Sequence, residues 1–390
     1  MSETGRPLRV LVVTARYLPD LGGIEQHVHE TARRIARRGD VELTVLTTDR
    51  TGKRPAVADG GGFTVRRVRA YPRHRDYYVA PGLGRVIRGG AYDLVHCQGI
   101  HTAVPVLAMQ AARRAGLPYL VSLHTGGHSS GLRNRLRAAQ WRALGRWLRG
   151  AATVVAVSRF ERELLAGTGR LNPDRIRVVQ NGGDLVAAAA ARTAVKVPHR
   201  IVSSGRLERY KGHQRVIEAL PLVRRAVPDA TLRILGAGPY EAALRARVRA
   251  LGLAQAVSID YIAPGDRGAM AAALGEAAVF AALSDYEAHP VAVMEALTLG
   301  VPVVGLRTAG LADLAEDGLI QGVPADATAA DIAACLVASL RGHRPVRADR
   351  AGAAGGALTS LPTWDDTAAE LTALYRQVCG VPDRAQVRPG

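Results

Sequence analysis

The sequence has little with which to build a disulfide framework or a cysteine-held metal. Its three cysteines, Cys97, Cys335 and Cys379, are scattered, and no C-x-x-C occurs. No apolar run is long enough to span a bilayer as a helix. The opening "MSETGRPLRVLVVTARYLP" enters a strand-like run without the layout of a secretory signal, so a cytoplasmic location is expected. Aromatic residues make up 4% of the chain, which leaves few platforms for stacking nucleic-acid bases. Neither G-x-G-x-x-G nor G-x-x-x-x-G-K-[ST] is present, so a standard dinucleotide site or P-loop is disfavoured. Asp-X-Asp is missing too, with Asp285-Tyr286-Glu287 its nearest approach. Lysine is scarce: Lys53, Lys196 and Lys211 are the only three among 52 basic residues. Acids are absent altogether between Leu94 and Phe160.

What is present points to an α/β protein of two domains. The chain has 390 residues, 48% of them hydrophobic, with 42 glycines. "RVLVVTARYLPDLGGIEQHVHETARRIARRGDVELTVLTT" reads as strand, glycine loop, helix, strand. "YDLVHCQ", "PYLVSLHT" and "ATVVAVS" read as further strands, with a helix over 103–115. The pattern restarts at "RIVSSGRLERYKGHQRVIEALPLVRRAVP" and continues through "ATLRILGAGP", "AVSID" and "AAVFAALS". Such alternation builds parallel sheets covered on both faces. We place a first domain at 1–185, an alanine-rich linker at 186–198 and a second domain at 199–360. A C-terminal helix over 361–380 is expected to pack back toward the first domain. Ligands of doubly wound sheets bind outside the carboxyl ends of the strands, which sets the expectation of a site in an inter-domain cleft.

The net charge of +18 is unevenly spread. Residues 1–185 hold 30 basic and 14 acidic residues, giving +16; residues 186–390 hold 22 and 20, giving +2. The first half must face, or tolerate, an anionic partner. Within it, "LRNRLRAAQWRALGRWLRG" (132–150) sets Leu132, Leu136, Ala139, Ala143, Leu144, Trp147 and Leu148 at helical spacing, with six arginines around them. That pattern describes a helix lying on an anionic membrane surface, and equally a helix packed on its own sheet.

"YEAHPVAVMEAL", 286–297, carries two acids in an apolar setting. Pro290 suits the first turn of a helix, and the residues after it read as a buried helix ending near Gly300 and Pro302. Glu287 then lies in the loop before the helix and Glu295 inside it. On one helix the two would be roughly 12 Å apart along the axis and about 80° apart around it. Two separate roles fit better than one acid–base pair. A helix N-terminus between them would attract an anion. Upstream, "GRLERYKG" puts Arg206 and Lys211 on a loop after a strand of the same sheet, and a compact ammonium suits a place where a guanidinium fork would not fit. Each of these is a solvated loop charge in the plainer reading. Gly22 and Gly23 on the first loop of domain one would let backbone amides approach a phosphate or sugar, or simply make a tight turn. Histidines gather in domain one at His27, His29, His96, His101, His124 and His128. Glycines inside "HTGGH" and the lack of nearby acids argue against a metal site.

On these segments the chain resembles the retaining glycosyltransferases of family 4, which have the GT-B fold of two Rossmann-like domains. The matching stretches are Gly22-Gly23-Ile24-Glu25, "LVHCQ", "SLHT", "AVSRFERELL", "VVQNGGD", "GRLERYKG", "LGAGP", "EAHPVAVMEALTLGVPVV" and "PTWDDTAAELTALYRQV". The resemblance implies a hexosyltransferase that takes a nucleotide-diphosphate sugar, with a UDP-sugar as the expected donor and no metal or other cofactor. It implies that Arg206 and Lys211 hold the diphosphate, that Glu295 binds the ribose hydroxyls, and that Glu287 sits by the donor sugar at the reacting centre. It further implies Gly23 amides at the phosphate and His124 by the transferred sugar. Gly22, His289, Pro290, Val291 and Ile262 complete the expected donor set, and Glu25, His96, His101 and His128 the expected acceptor set. Relatives often have E-G-F-G where this chain has Glu287-Ala288-His289-Pro290, and a proline form of the motif also occurs. Pro290 has no N–H for a sugar hydroxyl, so the hexose stays open. The acceptor stays open among small molecules, natural products, glycans and lipid-linked sugars, with peripheral contact to an anionic membrane through 132–150. A donor-processing enzyme of the same fold without acceptor transfer, such as a nucleotide-sugar epimerase, is the alternative. A nucleic-acid binder is the remote one, suggested by charge alone, and no nucleic-acid partner is expected.

Overall fold

The computed structural model describes residues 6–20, 22–73, 78–100, 102–125, 143–168, 171–184, 195–263, 265–342 and 361–382. The described residues fall into two compact units. One takes those up to Thr125, those running to Gln180 and those from Trp364 onward; the other takes Asn181–Thr363. The division thus falls ahead of the expected 185. Residues 185–194 of the alanine-rich stretch lie outside the described residues.

The first unit is built on an eight-stranded sheet. Its strands are β1 (Leu8–Thr14), β2 (Val41–Asp49), β3 (Val57–Asp59), β4 (Thr64–Arg69), β5 (Leu94–Gln98), β6 (Tyr119–Ser122), β7 (Thr153–Ala156) and β8 (Ile176–Val178), in the order β3-β4-β2-β1-β5-β6-β7-β8. All neighbours are parallel except the edge pair β3–β4, which the sequence pattern did not announce. Strand β1 is apolar on both sides because both its faces are covered. Leu11 and Val13 join Met109 of the helix Ala103–Arg114 in one core. Val10 and Val12 join Val28 and Ile35 of the helix Gly23–Arg38, together with Leu371 and Tyr375 of the C-terminal helix Trp364–Cys379, in the other. The C-terminal helix therefore covers the first sheet.

The second unit has six parallel strands: β9 (Arg200–Ser204), β10 (Thr231–Leu235), β11 (Val257–Asp260), β12 (Val279–Ala282), β13 (Val303–Leu306) and β14 (Gln321–Val323). Their order is β11-β10-β9-β12-β13-β14. The chain runs outward from β9 to β11, returns to the middle and runs outward again from β12. Strands β9 and β12 therefore flank the point where the winding reverses, with Ile201 beside Val279 and Val202 beside Phe280. The loops leaving these two strands emerge side by side, where ligands of open parallel sheets bind. Among the described residues no helix is long and apolar enough to cross a membrane.

Candidate functional site

In the second unit, the loops after β9 and β12 bring two of the expected residues together. The Lys211 ammonium donates to Glu287 Oε1 at 2.5 Å, and Ser284 Oγ donates to the same oxygen at 3.0 Å. Both partners of the ion pair are less than a fifth exposed. Burial alone would lower the Lys211 pKa; the Glu287 carboxylate and its hydrogen bond outweigh that and hold it above its ordinary value. Lys211 also lies 5.5 Å from the Tyr210 ring centre.

The loops are fixed to one another by their backbones. Asp285 N donates to the Tyr210 carbonyl at 2.7 Å, Gly310 N to the Glu287 carbonyl at 2.8 Å, and Thr308 Oγ1 to the Ser284 carbonyl at 2.8 Å. Gly212 ends the lysine loop at φ 75°, and a Cβ there would overlap the Leu283 carbonyl. A residue with a side chain would push the two loops apart. Arg206 is exposed and 3.2 Å from Glu208. His213 opens the next helix, gives Nδ1 to a 2.9 Å hydrogen bond with Ser203 Oγ, and is pushed down to about 4 by burial and by Lys211.

The helix Val291–Thr298 follows directly, but Pro290 stands at its N-cap with an extended ψ of 112° and not in its first turn. Val291 is its first residue. Buried His289 accepts through its carbonyl from Asn181 Nδ2 at 3.0 Å. Glu295 faces inward from this helix and is paired with Arg267, the first residue of the helix Arg267–Gly275. Ile262, on the loop before that helix, packs on the same apolar cluster as Met294. The two acids of "YEAHPVAVMEAL" thus answer to two different cations.

In the first unit, Gly22 and Gly23 open the helix Gly23–Arg38. A Cβ on Gly22 would overlap the buried Glu25 carboxylate, whereas one on Gly23 would meet nothing within 4 Å. His124 has φ 47° and closes the segment after β6. Its Nε2 is 2.8 Å from Gln98 Oε1, a carbonyl that only accepts, so Nε2 carries the proton. Its ring meets His27 edge-on at 4.6 Å, and His27 in turn meets Trp364. Next to His124, Thr125 donates through N and Oγ1 to Glu161 at 2.6 Å each, and Val157 N donates to the other Glu161 oxygen at 2.8 Å. Burial pushes the Glu161 carboxyl up, against the pull of these donors.

His96, assigned to the acceptor, is fully buried, with Nδ1 2.7 Å from Tyr375 Oη and Nε2 2.8 Å from Ser122 Oγ. Burial holds its pKa down at about 3. It joins the C-terminal helix to the sheet from inside the domain. His101 and His128 lie outside the described residues.

Of the basic stretch, 132–142 also lies outside the described residues, while 143–150 is helical. Leu144 and Leu148 are buried in the first-sheet core, and Trp147 packs against it. The described part of the apolar stripe is therefore a core face. What remains outward is charge: Arg113, Arg114, Arg146 and Arg149 line a surface depression of about 700 Å³ with Gln110 and Trp147. The Arg146 guanidinium stacks 3.8 Å from the Trp147 ring centre.

Sequence reasoning missed Ser284, Arg267, Gln98, Thr125 and Glu161 as members of these networks. Glu161 alone had a signal, the S-x-x-E spacing from Ser158, whose Oγ accepts from Glu161 N.

Two family models match the chain: Glycosyltransferase Family 4 over residues 21–186 and Glycosyl transferases group 1 over 190–349. A GDP-mannose-dependent alpha-(1-6)-phosphatidylinositol monomannoside mannosyltransferase of Mycolicibacterium smegmatis is 31% identical, covering 89% of this chain and 92% of its own. A GDP-mannose:cellobiosyl-diphosphopolyprenol alpha-mannosyltransferase of Xanthomonas oryzae is 27% identical, covering 96% and 98%. Among solved structures, the sucrose-phosphate synthase of Thermosynechococcus elongatus aligns with a TM-score of 0.73 at 18% identity, covering 96% of this chain and 99% of that one. That likeness is one of fold: the GT-B fold, with its two parallel-sheet α/β domains.

Proposed function

Because this chain belongs to glycosyltransferase family 4 and is a hexosyltransferase, we propose that it moves a hexose from a nucleoside-diphosphate sugar to an acceptor hydroxyl, with the anomeric configuration kept and no metal required. The observation that carries this reading is the Lys211–Glu287 pair, held where the winding of the second sheet reverses. In the proposal, the anomeric carbon–oxygen bond to the diphosphate breaks and the acceptor oxygen takes its place. The electron pair stays with the diphosphate, and the acceptor proton leaves with that product. Arg206 and Lys211 meet the charge that develops on the leaving group, the part a metal plays elsewhere. The N-terminus of the helix Val291–Thr298 adds its backbone donors to them. Glu287 lies by the sugar and Glu295 takes the ribose hydroxyls; Gly23 and His124 are the first-unit residues that the family resemblance implies for the donor.

The sequence resemblance suggested uridine as the base. The two relatives above carry GDP-mannose in their names, and that weighs for guanosine. Their names also specify acceptors borne on lipids with phosphate groups, diphosphopolyprenol and phosphatidylinositol. A lipid-linked acceptor fits the +16 of residues 1–185 and the arginine-lined depression, with peripheral contact made through charge and not through the buried Leu144 and Leu148. The test is release of nucleoside diphosphate from GDP-mannose, UDP-glucose and ADP-glucose, with the purified chain in excess chelator. Turnover of one donor supports the reading. Activity that disappears in chelator and returns with magnesium or manganese refutes the metal-independent part, and turnover of none refutes the donor class.

A further inference from the structure

The second unit holds a buried ion pair at a place that helix electrostatics disfavour. Arg267 is the first residue of its helix, where a cation faces the positive end of the dipole. No acid occupies that first turn, and Asp266 is engaged as the cap, accepting from Ala269 N at 2.8 Å. Arg267 reaches away from its own helix and donates through a terminal guanidinium nitrogen to Glu295 Oε1 on the neighbouring helix. The Glu295 side chain is 5% exposed and that of Arg267 23%. A carboxylate so far out of water is tolerated as an anion only with a cation against it. Arg267 therefore supplies a cation against Glu295 and restrains the oxygen it holds. A lysine would supply the charge, but from a flexible stem and without the planar, directed N–H of the guanidinium.

We infer that Arg267 is a positioning residue for nucleotide recognition. Through its contact with Oε1 it holds the Glu295 carboxylate in the orientation in which it accepts hydrogen bonds from the donor ribose. Selectivity for ribonucleotides over 2′-deoxyribonucleotides then rests on Arg267 although it acts through another side chain. This inference depends on the reading of Glu295 as the ribose-binding acid.

The experiment is calorimetric binding of UDP and GDP to the full chain, then of the 2′-deoxy form of whichever binds more tightly. The wild type should prefer the ribonucleotide by about ten- to a hundredfold, the size of one hydrogen bond to a charged group. Glu295→Gln should lose most of that preference. Arg267→Gln should lose it as well, at unchanged secondary structure, and Arg267→Lys should keep an intermediate preference. If the wild type and Arg267→Lys discriminate to the same extent, or Arg267→Gln discriminates like the wild type, the inference fails while the ribose reading stands. If neither the wild type nor Glu295→Gln discriminates, the ribose reading itself fails and takes the inference with it. Should Arg267→Gln not fold, the comparison of wild type with Arg267→Lys decides.

Discussion

Lys211 and Glu287 are 76 positions apart in the chain and form a 2.5 Å ion pair because their loops leave neighbouring strands. The sheet order makes this contact, and the acid in turn sets the behaviour of the base. With Glu287 in place, the Lys211 pKa lies above its ordinary value. Its share of the stability is therefore present at neutral pH and lost only when alkaline pH passes the folded value. Removing the carboxylate as Glu287→Gln takes away the main influence that opposes burial. The pH profile of donor binding should then gain an alkaline limb at lower pH than in the wild type.

Two glycines separate fold from function. Gly212 has φ 75° and no room for a Cβ, so Gly212→Ala should destabilise by more than the ~1–2 kcal/mol that a left-handed conformation costs an alanine. Gly23 has open space at its Cβ position, so Gly23→Ala should stay within about 0.5 kcal/mol of wild type in denaturant unfolding. Its donor KM should nonetheless rise, since the methyl would stand where the phosphate is proposed to approach. Equal stability loss in both variants would contradict this division.

Stability should fall on mild acidification. His96 and His213 have folded values of about 3 and about 4, below the ordinary histidine value. The unfolded chain therefore binds more protons as pH drops from about 6.5, and their contribution is full above that pH and declines toward about 4. Glu161, with its carboxyl pushed up by burial, acts in the opposite sense, because there the folded state binds the proton more readily. Melting curves from pH 7 to pH 4 should show a falling midpoint, with a shallower slope in His213→Asn. A His213→Asn slope identical to the wild type's would show that His213 is not buried neutral.

Much of this was legible in the sequence, for identifiable reasons. The strand and helix alternation marked both sheets, because strands such as β1 are buried on two faces and read as continuous apolar runs. Lys211 was visible as a rare lysine, and Glu287 as an acid in an apolar segment. Arg267 was not, since a single arginine beginning an alanine-rich helix has no periodic signal. The His96 partner Tyr375 lies 279 positions away, so "LVHCQ" did not reveal the interior hydrogen bond that His96 makes. The stripe through Leu144, Trp147 and Leu148 had the right period, but period alone does not say whether a sheet or a membrane covers it.

Membrane contact, if made by charge alone, has a distinct salt signature. The chain should pellet with vesicles containing anionic lipid at low salt, release as salt rises, and bind less as Arg113→Gln, Arg146→Gln and Arg149→Gln are combined. Binding that is indifferent to salt, or absent at low salt, would contradict the electrostatic account.

The central claim is that the Lys211–Glu287 pair is the working part of a hexosyl-transfer site. Its most direct test is nucleoside-diphosphate release from the preferred donor by wild type, Lys211→Ala and Glu287→Gln, alongside thermal melting of each. The account predicts a loss of about a hundredfold or more in kcat for both variants, the scale of removing one group that stabilises developing charge, with each protein still folded. Near-normal turnover in either folded variant would contradict it.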